Sequence, residues 1–266
     1  MQDPAPSVRV AAIICAAGSG TRFGGSQGSK LDADLHGQPV LIRSVEAIAR
    51  QPQITKIVVA GPADPELLAR FRSTYEGQLE SLRAEICPGG ALERYETVKA
   101  ALDHLLQSPA QHAPAENPAQ AVLVHDAARP CTPDRVVRAI LDALTHHAAV
   151  VPAVPVADTL KRARPAKPTP PAQANPSSPG EREPLATIEH TVDRRGLYAC
   201  QTPQGFHLDL LRRAYAQNDL ASTDDAQLVE RLGEPVTLVE GDPRNIKITR
   251  PQDLDLARAL WPGLNG

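Results

Sequence analysis

Residues 11–30 read AAIICAAGSGTRFGGSQGSK and are the most informative part of this chain. The apolar run from Val8 to Cys15 predicts a buried strand, which leads directly into a turn of small residues. Glycines in such a turn permit the positive φ and the close backbone approach that anion binding needs. Arg22 and Lys30 lie in the same turn, where two cations would neutralise phosphate charge during a reaction. The stretch predicts a phosphate-binding loop, and a glycine-rich turn without a ligand stays open as the alternative.

This loop differs from two familiar nucleotide-binding motifs. A Walker A loop requires Gly-x-x-x-x-Gly-Lys followed by Ser or Thr, and no Gly-Lys pair occurs here. The dinucleotide fingerprint requires Gly-x-Gly-x-x-Gly, but Phe23 stands where the third glycine belongs. The sequence therefore favours a different class of nucleotide site.

Composition limits the kind of protein that this chain can be. Its 266 residues are 42% hydrophobic and only 3% aromatic, which predicts a large core built mainly of Val, Leu, Ile and Ala. The net charge of −3 argues against a protein that coats nucleic acid, so we expect no nucleic-acid partner. No stretch approaches the roughly 18 apolar residues of a membrane span, and no signal peptide is evident, so we expect no membrane partner and a cytoplasmic location.

The cysteines predict neither a zinc site nor disulfides. They are widely spaced, no C-x-x-C pair exists, and reduced buried thiols are the simpler interpretation; they are Cys15, Cys87, Cys131 and Cys200. We accordingly expect no metal ligands among the side chains.

Strand and helix signals alternate through the first part of the chain. The runs VRVAAIIC, KIVVAG and AVLVH predict strands, and helical patterns follow Pro39, span Leu92 to Leu106 and cover about 133–146. Continuous apolar strands are typical of a mostly parallel sheet covered by helices on both faces. Such a sheet binds ligands beyond the carboxyl ends of its strands, where the glycine loop and the turn after His125 would meet.

Two segments interrupt this alternation. Residues 107–120 predict a surface loop, and residues 163–184 contain seven prolines in 22 positions, a composition that predicts an extended or disordered segment. The sequences on either side of the second segment resemble two strands of an excursion over residues 155–200. Helices at about 207–217 and 223–233, the strand VTLVE and a final helix from Pro251 complete the chain.

Three further motifs carry candidate chemistry. HDAARP, residues 125–130, places Asp126 and Arg129 directly after a predicted strand, where a surface Asp–Arg turn is the alternative. In RNIKITRPQDL, residues 244–254, Lys247 lies within a strand-like segment, and a solvated edge-strand lysine is the alternative. TVDRRGLY supplies Arg194 beside a second arginine, of which at most one can serve a given site if the segment is a strand.

The order of the motifs resembles one family from end to end. This family is the 2-C-methyl-D-erythritol 4-phosphate cytidylyltransferases, whose motifs this chain resembles in the same order. The motifs are AAGSGTRFG with its following lysine, GG with ERYETV, HDAARP, ADT, TVDR with QTPQ, and NIKITRPQDL. This resemblance implies a single nucleotidyltransferase domain over residues 1–266, of the α/β class, with a Rossmann-like sheet. It also implies a protruding β-arm, residues 155–200, that joins two subunits into a homodimer.

The reaction that the resemblance implies is transfer of CMP from CTP to methylerythritol phosphate, with release of pyrophosphate and with Mg²⁺ held mainly by the CTP phosphates. The phosphate nucleophile is already anionic, so catalysis needs positioning and charge stabilisation rather than a general base.

By the same resemblance, site residues fall into three groups. The catalytic residues would be Arg22, Lys30, Arg194 and Lys247. The nucleotide-binding residues would be Ala16, Ala17, Gly18, Ser19, Gly20, Thr21, Gly90 and Thr97. The substrate-binding residues would be Asp126, Arg129, Thr159 and Thr202.

The chain departs from the family pattern in three places. Ser29-Lys30-Leu31-Asp32 replaces Pro-Lys-Gln-Tyr around the lysine, Ala91-Leu92 stand where an acid commonly follows the glycine pair, and the arm carries the insertion 163–184. We expect the insertion to form a disordered tip that projects away from both active sites.

Alternative functions from the same residues are a cytidylyltransferase for another acceptor such as ribitol 5-phosphate, a nucleotidyltransferase for another base, and a non-catalytic nucleotide-binding regulator. The sequence Asp-Ala-Ala-Arg-Pro favours methylerythritol phosphate, since the ribitol phosphate enzymes tend toward Asp-Ser-Val-Arg-Pro.

Overall fold

The computed structural model describes residues 8–18, 29–107, 119–165 and 186–265. The chain divides into two compact units, of which the first comprises Met1–Val154 with Cys200–Gly266 and the second Pro155–Ala199. The second unit coincides within one residue with the range expected for the arm. The expectations for the glycine loop beyond Gly18, and for most of the insertion, lie outside the described residues.

The strands, numbered along the chain, are β1 (Val10–Cys15), β2 (Asp34–Leu35), β3 (Gln38–Pro39), β4 (Ile54–Gly61), β5 (Ala84–Pro88), β6 (Ala121–Asp126), β7 (Ala149–Pro155), β8 (Lys161–Pro165), β9 (Ala186–Thr191), β10 (Tyr198–Cys200), β11 (Gln204–His207) and β12 (Thr237–Glu240). The helices are α1 (Val40–Ala49), α2 (Pro65–Ser81), α3 (Arg94–Gln107), α4 (Asp134–Ala143), α5 (Leu208–Tyr215), α6 (Asp225–Arg231), α7 (Pro251–Leu260) and α8 (Pro262–Asn265).

The central sheet of the first unit is mostly parallel. Its strands follow the order β7-β11-β6-β1-β4-β5, and β12 pairs with β7. β1 runs parallel to β4 and β6, whereas β11 is antiparallel to β6 and β7. The predicted α/β fold with a mostly parallel sheet is therefore confirmed.

Helices cover both faces of this sheet, as the apolar strands predict. Alternate residues of β1 face opposite sides, so that Ile14 packs in one core cluster with α1, α4 and α7. Ile13 packs in the other cluster with α3, α5 and α6. In the second unit, β8 and β9 form an antiparallel pair in which Lys161 lies opposite Thr191.

Among the described residues, no helix combines the length and apolarity that crossing a membrane requires.

Candidate active site

A cleft of about 340 Å³ opens at the carboxyl ends of β1 and β6. Cys15 and Asp126 end these neighbouring strands and are paired in register, so the residues that follow each strand share one edge of the sheet. The cleft brings together eight of the candidates from the sequence: Ala16, Ala17, Gly18, Lys30, Gly90, Thr97, Asp126 and Lys247.

Asp126 is the centre of the charged groups in this cleft. Its Oδ1 lies 3.1 Å from Nε of Arg94, and its Oδ2 lies 2.9 Å from Nζ of Lys247 and 3.5 Å from Nε of Arg129. Burial opposes ionisation of this carboxyl, but Arg94, Lys247 and Arg129 outweigh burial and hold its pKa well below the usual range. Asp126 is therefore an anion at neutral pH.

Arg94, which was not among the predicted site residues, joins two buried carboxylates. Its Nη1 donates to Oδ2 of Asp225 at 2.7 Å, while its Nε contacts Asp126. Asp225 is fully buried and also accepts a hydrogen bond from the hydroxyl of Tyr215 at 2.5 Å. Burial opposes the charge of Arg94, but the two carboxylates, Asp225 foremost, keep its pKa well above the ordinary value.

Asp126, Asp225, Arg94, Arg129 and Lys247 are called the charge cluster below. Its three cations exceed its two carboxylates, so the cluster carries one net positive charge. Lys30 and Glu93, which also line the cleft, offset each other. An excess of cations in a partly enclosed cleft favours an anionic ligand.

Behind Asp126, His125 and Thr202 form a buried hydrogen-bonded pair. Burial lowers the pKa of His125 to about 4, so its ring is neutral, and Nε2 faces the carbonyl of Arg129 at 3.3 Å and must be the donor. Nδ1 then accepts from the Thr202 hydroxyl at 3.1 Å, and that hydroxyl accepts from the Asp126 N–H at 3.1 Å. Both hydrogen-bonding roles of Thr202 are thus used within the protein, and a substrate-binding role for it stays a prediction.

Arg129 is also held by the protein. Its Nη1 donates to the carbonyl of Asn245 at 2.7 Å, and neither Arg129 nor Thr202 is among the described residues that line the cleft. Arg129 therefore joins the turn after β6 to the segment that carries Lys247.

The segment that carries Lys247 is not a strand, and the prediction of a strand-like Asn245–Thr249 is wrong. Its N–H groups find single partners rather than a ladder, as when Ile248 donates to the carbonyl of Ala128 at 2.8 Å. Asp253, in the first turn of α7, fixes the far end by accepting from the N–H of Thr249 at 2.8 Å. With Ile248 fully buried, Lys247 is directed to the carboxylate of Asp126.

Gly90 and Thr97 are joined at the start of α3. The Gly90 N–H donates to the hydroxyl of Thr97 at 3.2 Å. A Cβ on Gly90 would lie 2.3 Å from Cβ of Glu96, so only glycine fits this close approach. The two adjacent N–H groups of Leu92 and Glu93 donate to the carboxylate of Glu96, which orders the loop before the helix.

Besides Arg129 and Thr202, six further candidates are not among the described residues that line the cleft. Ser19, Gly20, Thr21 and Arg22 lie outside the described residues. Thr159 and Arg194 lie in the second unit, where both are exposed. Their roles stay predictions.

Metal ligands are not clustered in the described part of the chain. No group of three or more His, Cys, Asp or Glu side chains there could hold a metal ion. Burial raises the pKa of Cys15, at the end of β1, to about 12 and keeps it a thiol at neutral pH.

Comparison with known proteins gives consistent matches over nearly the whole chain. The family model for IspD, 2-C-methyl-D-erythritol 4-phosphate cytidylyltransferase, matches residues 10–170 and 180–261. A protein of that name from Frankia casuarinae is 42% identical over 97% of this chain and 83% of its own length. Another from Thiobacillus denitrificans is 40% identical over 96% of this chain and 98% of its own length.

Solved structures give the same result. The crystal structure of a 4-diphosphocytidyl-2C-methyl-D-erythritol synthase matches with a TM-score of 0.70 at 30% identity, covering 96% of this chain and 99% of the other. The cytidylyltransferase from Thermus thermophilus matches with a TM-score of 0.64 at 31% identity, covering 95% of this chain and 98% of the other.

Proposed function

This chain belongs to the 2-C-methyl-D-erythritol 4-phosphate cytidylyltransferase family, and we propose that its cleft transfers the cytidylyl group of CTP to methylerythritol phosphate. The resemblance carried by HDAARP and NIKITRP is thereby confirmed. The chain is an enzyme, a nucleotidyltransferase of isoprenoid precursor synthesis. The observation that carries the proposed site is the meeting of Lys30, Asp126 and Lys247 in one cleft with an excess of positive charge.

The chemistry requires no general base. A phosphate oxygen of the acceptor attacks the α-phosphorus of CTP, the bond from that phosphorus to the bridging oxygen of the β-phosphate breaks, and pyrophosphate leaves with the electron pair. Negative charge grows on the oxygens of the α-phosphate and the leaving group, so fixed cations lower the barrier. Lys30 and Arg22 would provide this charge, with the backbone of Ala16 to Thr21 holding the triphosphate.

The nucleotide base would bind at the start of α3. The Thr97 hydroxyl accepts from the Gly90 N–H and orders this loop, whose backbone groups would pair with the cytosine amine and carbonyl. Asp126 would orient ribose or acceptor hydroxyls, and Lys247 would exchange its contact with Asp126 for a phosphate oxygen.

Magnesium, which the family resemblance implies, fits a site made by the nucleotide. Oδ1 of Asp126 contacts Arg94 and Oδ2 contacts Arg129, and these two cations remain on the carboxylate when Lys247 leaves it. Triphosphate oxygens would then hold the ion, which when bound neutralises part of the triphosphate charge.

The second unit would complete the site across a homodimer. It exposes apolar side chains, with Ile188 at 61% and Tyr198 at 48% exposure, which a second subunit would cover. Thr159 and Arg194 would contact the acceptor phosphate of the partner subunit's site. We propose a cytoplasmic location, since all substrates are polar phosphates.

The activity is tested by incubating the chain with CTP, Mg²⁺ and methylerythritol phosphate and following pyrophosphate release. Ribitol 5-phosphate replaces the acceptor in a parallel reaction, and thermal shifts with CTP, UTP, GTP and ATP compare the bases. Release that depends on methylerythritol phosphate and CTP supports the proposal. Tight CTP binding without turnover would instead identify a nucleotide-binding regulator.

The role of Lys30 is tested by Lys30→Ala. We expect kcat to fall about 10²- to 10³-fold with a modest change in CTP affinity, because the lysine acts on the transition state. Lys99→Ala is the control, since Lys99 pairs with Asp103 on the exposed face of α3 at 2.8 Å and should keep full activity. An equal fall in turnover and CTP affinity would show that Lys30 only binds the nucleotide.

A further inference from the structure

The turn that carries Lys30 is closed by its own hydrogen bonds. The N–H of Asp32 donates to the carbonyl of Ser29 at 2.9 Å, and the N–H of Ser29 donates back to Oδ2 of Asp32 at 3.2 Å. The Ser29 hydroxyl accepts from the N–H of Leu31 at 3.2 Å. Lys30 therefore sits between two residues whose side chains both bind the backbone of the turn.

One side of this turn is attached to α1. The Leu31 side chain is buried, and its carbonyl accepts from the N–H of Leu41 at 3.2 Å. The Ala33 carbonyl accepts from the N–H of Val40 at 3.0 Å. Because α1 begins after Pro39 without a side-chain cap, these carbonyls satisfy two of its free N–H groups.

The other side of the turn is attached to α2 by a buried tyrosine. The Tyr75 hydroxyl donates to Oδ1 of Asp32, and Tyr75 is only 2% exposed, with its ring 5.0 Å from that of Phe71. A buried hydroxyl without a partner is costly, so this hydrogen bond fixes the carboxylate against the core. Burial and the adjacent Asp32 raise the pKa of Tyr75, which keeps the hydroxyl protonated and able to donate.

We propose that Tyr75 and Asp32 are positioning residues for Lys30, forming with Ser29 a lock that holds the lysine in the cleft. This proposal rests on the proposed function, in which Lys30 stabilises the transition state. The lysine follows a glycine-rich stretch and has no neighbouring proline to stiffen it. The lock supplies that stiffness through side chains instead, and displacement of a catalytic group by about 1 Å can cost about 10²-fold in rate.

The test is Tyr75→Phe, which removes one hydroxyl and keeps the ring in the core. We expect kcat to fall about 10- to 100-fold in single-turnover measurements, while KM for CTP changes less than about twofold. Asp32→Ala should reproduce this split and replaces Tyr75→Phe if that variant fails to fold. Ser73→Ala is the matched control, because its hydroxyl lies on the same helix and donates to the carbonyl of Arg70 at 2.9 Å.

Each change is also made in the Lys30→Ala background. If Tyr75 acts through Lys30, Tyr75→Phe has no further effect on kcat there, whereas a general structural role lowers kcat equally in both backgrounds. A folded Tyr75→Phe enzyme with unchanged kcat would overturn the lock. Full activity of Lys30→Ala would instead overturn the assigned role of Lys30, and the lock with it.

Discussion

Replacing Arg94 by methionine tests whether the charge cluster is a connected unit. Methionine keeps much of the aliphatic length and removes the guanidinium that joins Asp126 to Asp225. Asp126 would keep Lys247 and Arg129, whereas Asp225 would keep the neutral hydroxyl of Tyr215. The variant therefore leaves the fully buried carboxylate of Asp225 without the guanidinium that contacts it.

The expected loss follows from this burial. Removing one partner of a buried ion pair costs about 3–5 kcal/mol, and since the Arg94 side chain is 25% exposed we expect a loss near the lower end, about 3 kcal/mol. Asp225→Asn removes the same attraction from the other side. The double variant should therefore lose about 2 kcal/mol less free energy of unfolding than the sum of the two single losses.

Urea denaturation at pH 7, followed by circular dichroism, measures these free energies of unfolding. Arg212→Met is the control, because Arg212 forms an exposed pair with Asp209 at 3.4 Å and its loss should cost less than about 0.5 kcal/mol. Two results would refute the idea that Arg94 connects the two carboxylates. One is additive losses of stability for Arg94→Met and Asp225→Asn, and the other is a loss for Arg94→Met as small as that of the control.

Three other predictions concern pH, backbone space and ligand exchange. Because burial lowers the pKa of His125 from 6.5 to about 4, protons favour the unfolded state between these values, and stability falls as pH falls through them. At pH 4.5 the resulting loss in free energy of unfolding is about 2.5 kcal/mol for the wild type. Denaturation measurements on His125→Gln should not show this loss. Gly90→Ala should weaken CTP binding measured by calorimetry, since its Cβ would meet Glu96 at 2.3 Å, whereas Gly77→Ala, with open space around it, should not. Lys247→Met should reduce the thermal shift that CTP produces. It should change the stability of the free enzyme by less than about 1 kcal/mol, because Asp126 keeps two cations. A larger loss of stability in the free enzyme would contradict this prediction.

The parts of the fold that the sequence predicts are those with strong apolar patterns. β1, β4 and β6 are continuous apolar runs, and all three are central strands. Helix α2 was not predicted, because only Tyr75 and Leu79 of this helix are buried and its apolar stripe is too thin for a periodic signal. Asp64 followed by Pro65 was the available sign, since Asp64 caps the helix by accepting from the N–H of Leu67 at 2.9 Å.

The candidate site was predictable where a motif adjoins a strand end. Asp126 follows an apolar strand directly, so its place at the ligand edge followed from topology. Asp225 and Tyr215 lie on separate helices far along the chain, and their convergence on Arg94 depends on how α5 and α6 pack against β1 and β6. No local pattern contains that information, which is why the charge cluster emerged only from the fold.

The cations of the cluster differ in what each leaves behind when it moves. Arg94 cannot leave without isolating Asp225, and Arg129 is fixed by the carbonyl of Asn245. Lys247 is the most exposed of the three, at 39%, and its departure leaves Asp126 with both arginines. A triphosphate can therefore draw Lys247 away without uncovering a buried charge. Until a ligand arrives, Asp126 keeps the lysine in the cleft, which reduces the conformational entropy lost when the nucleotide binds.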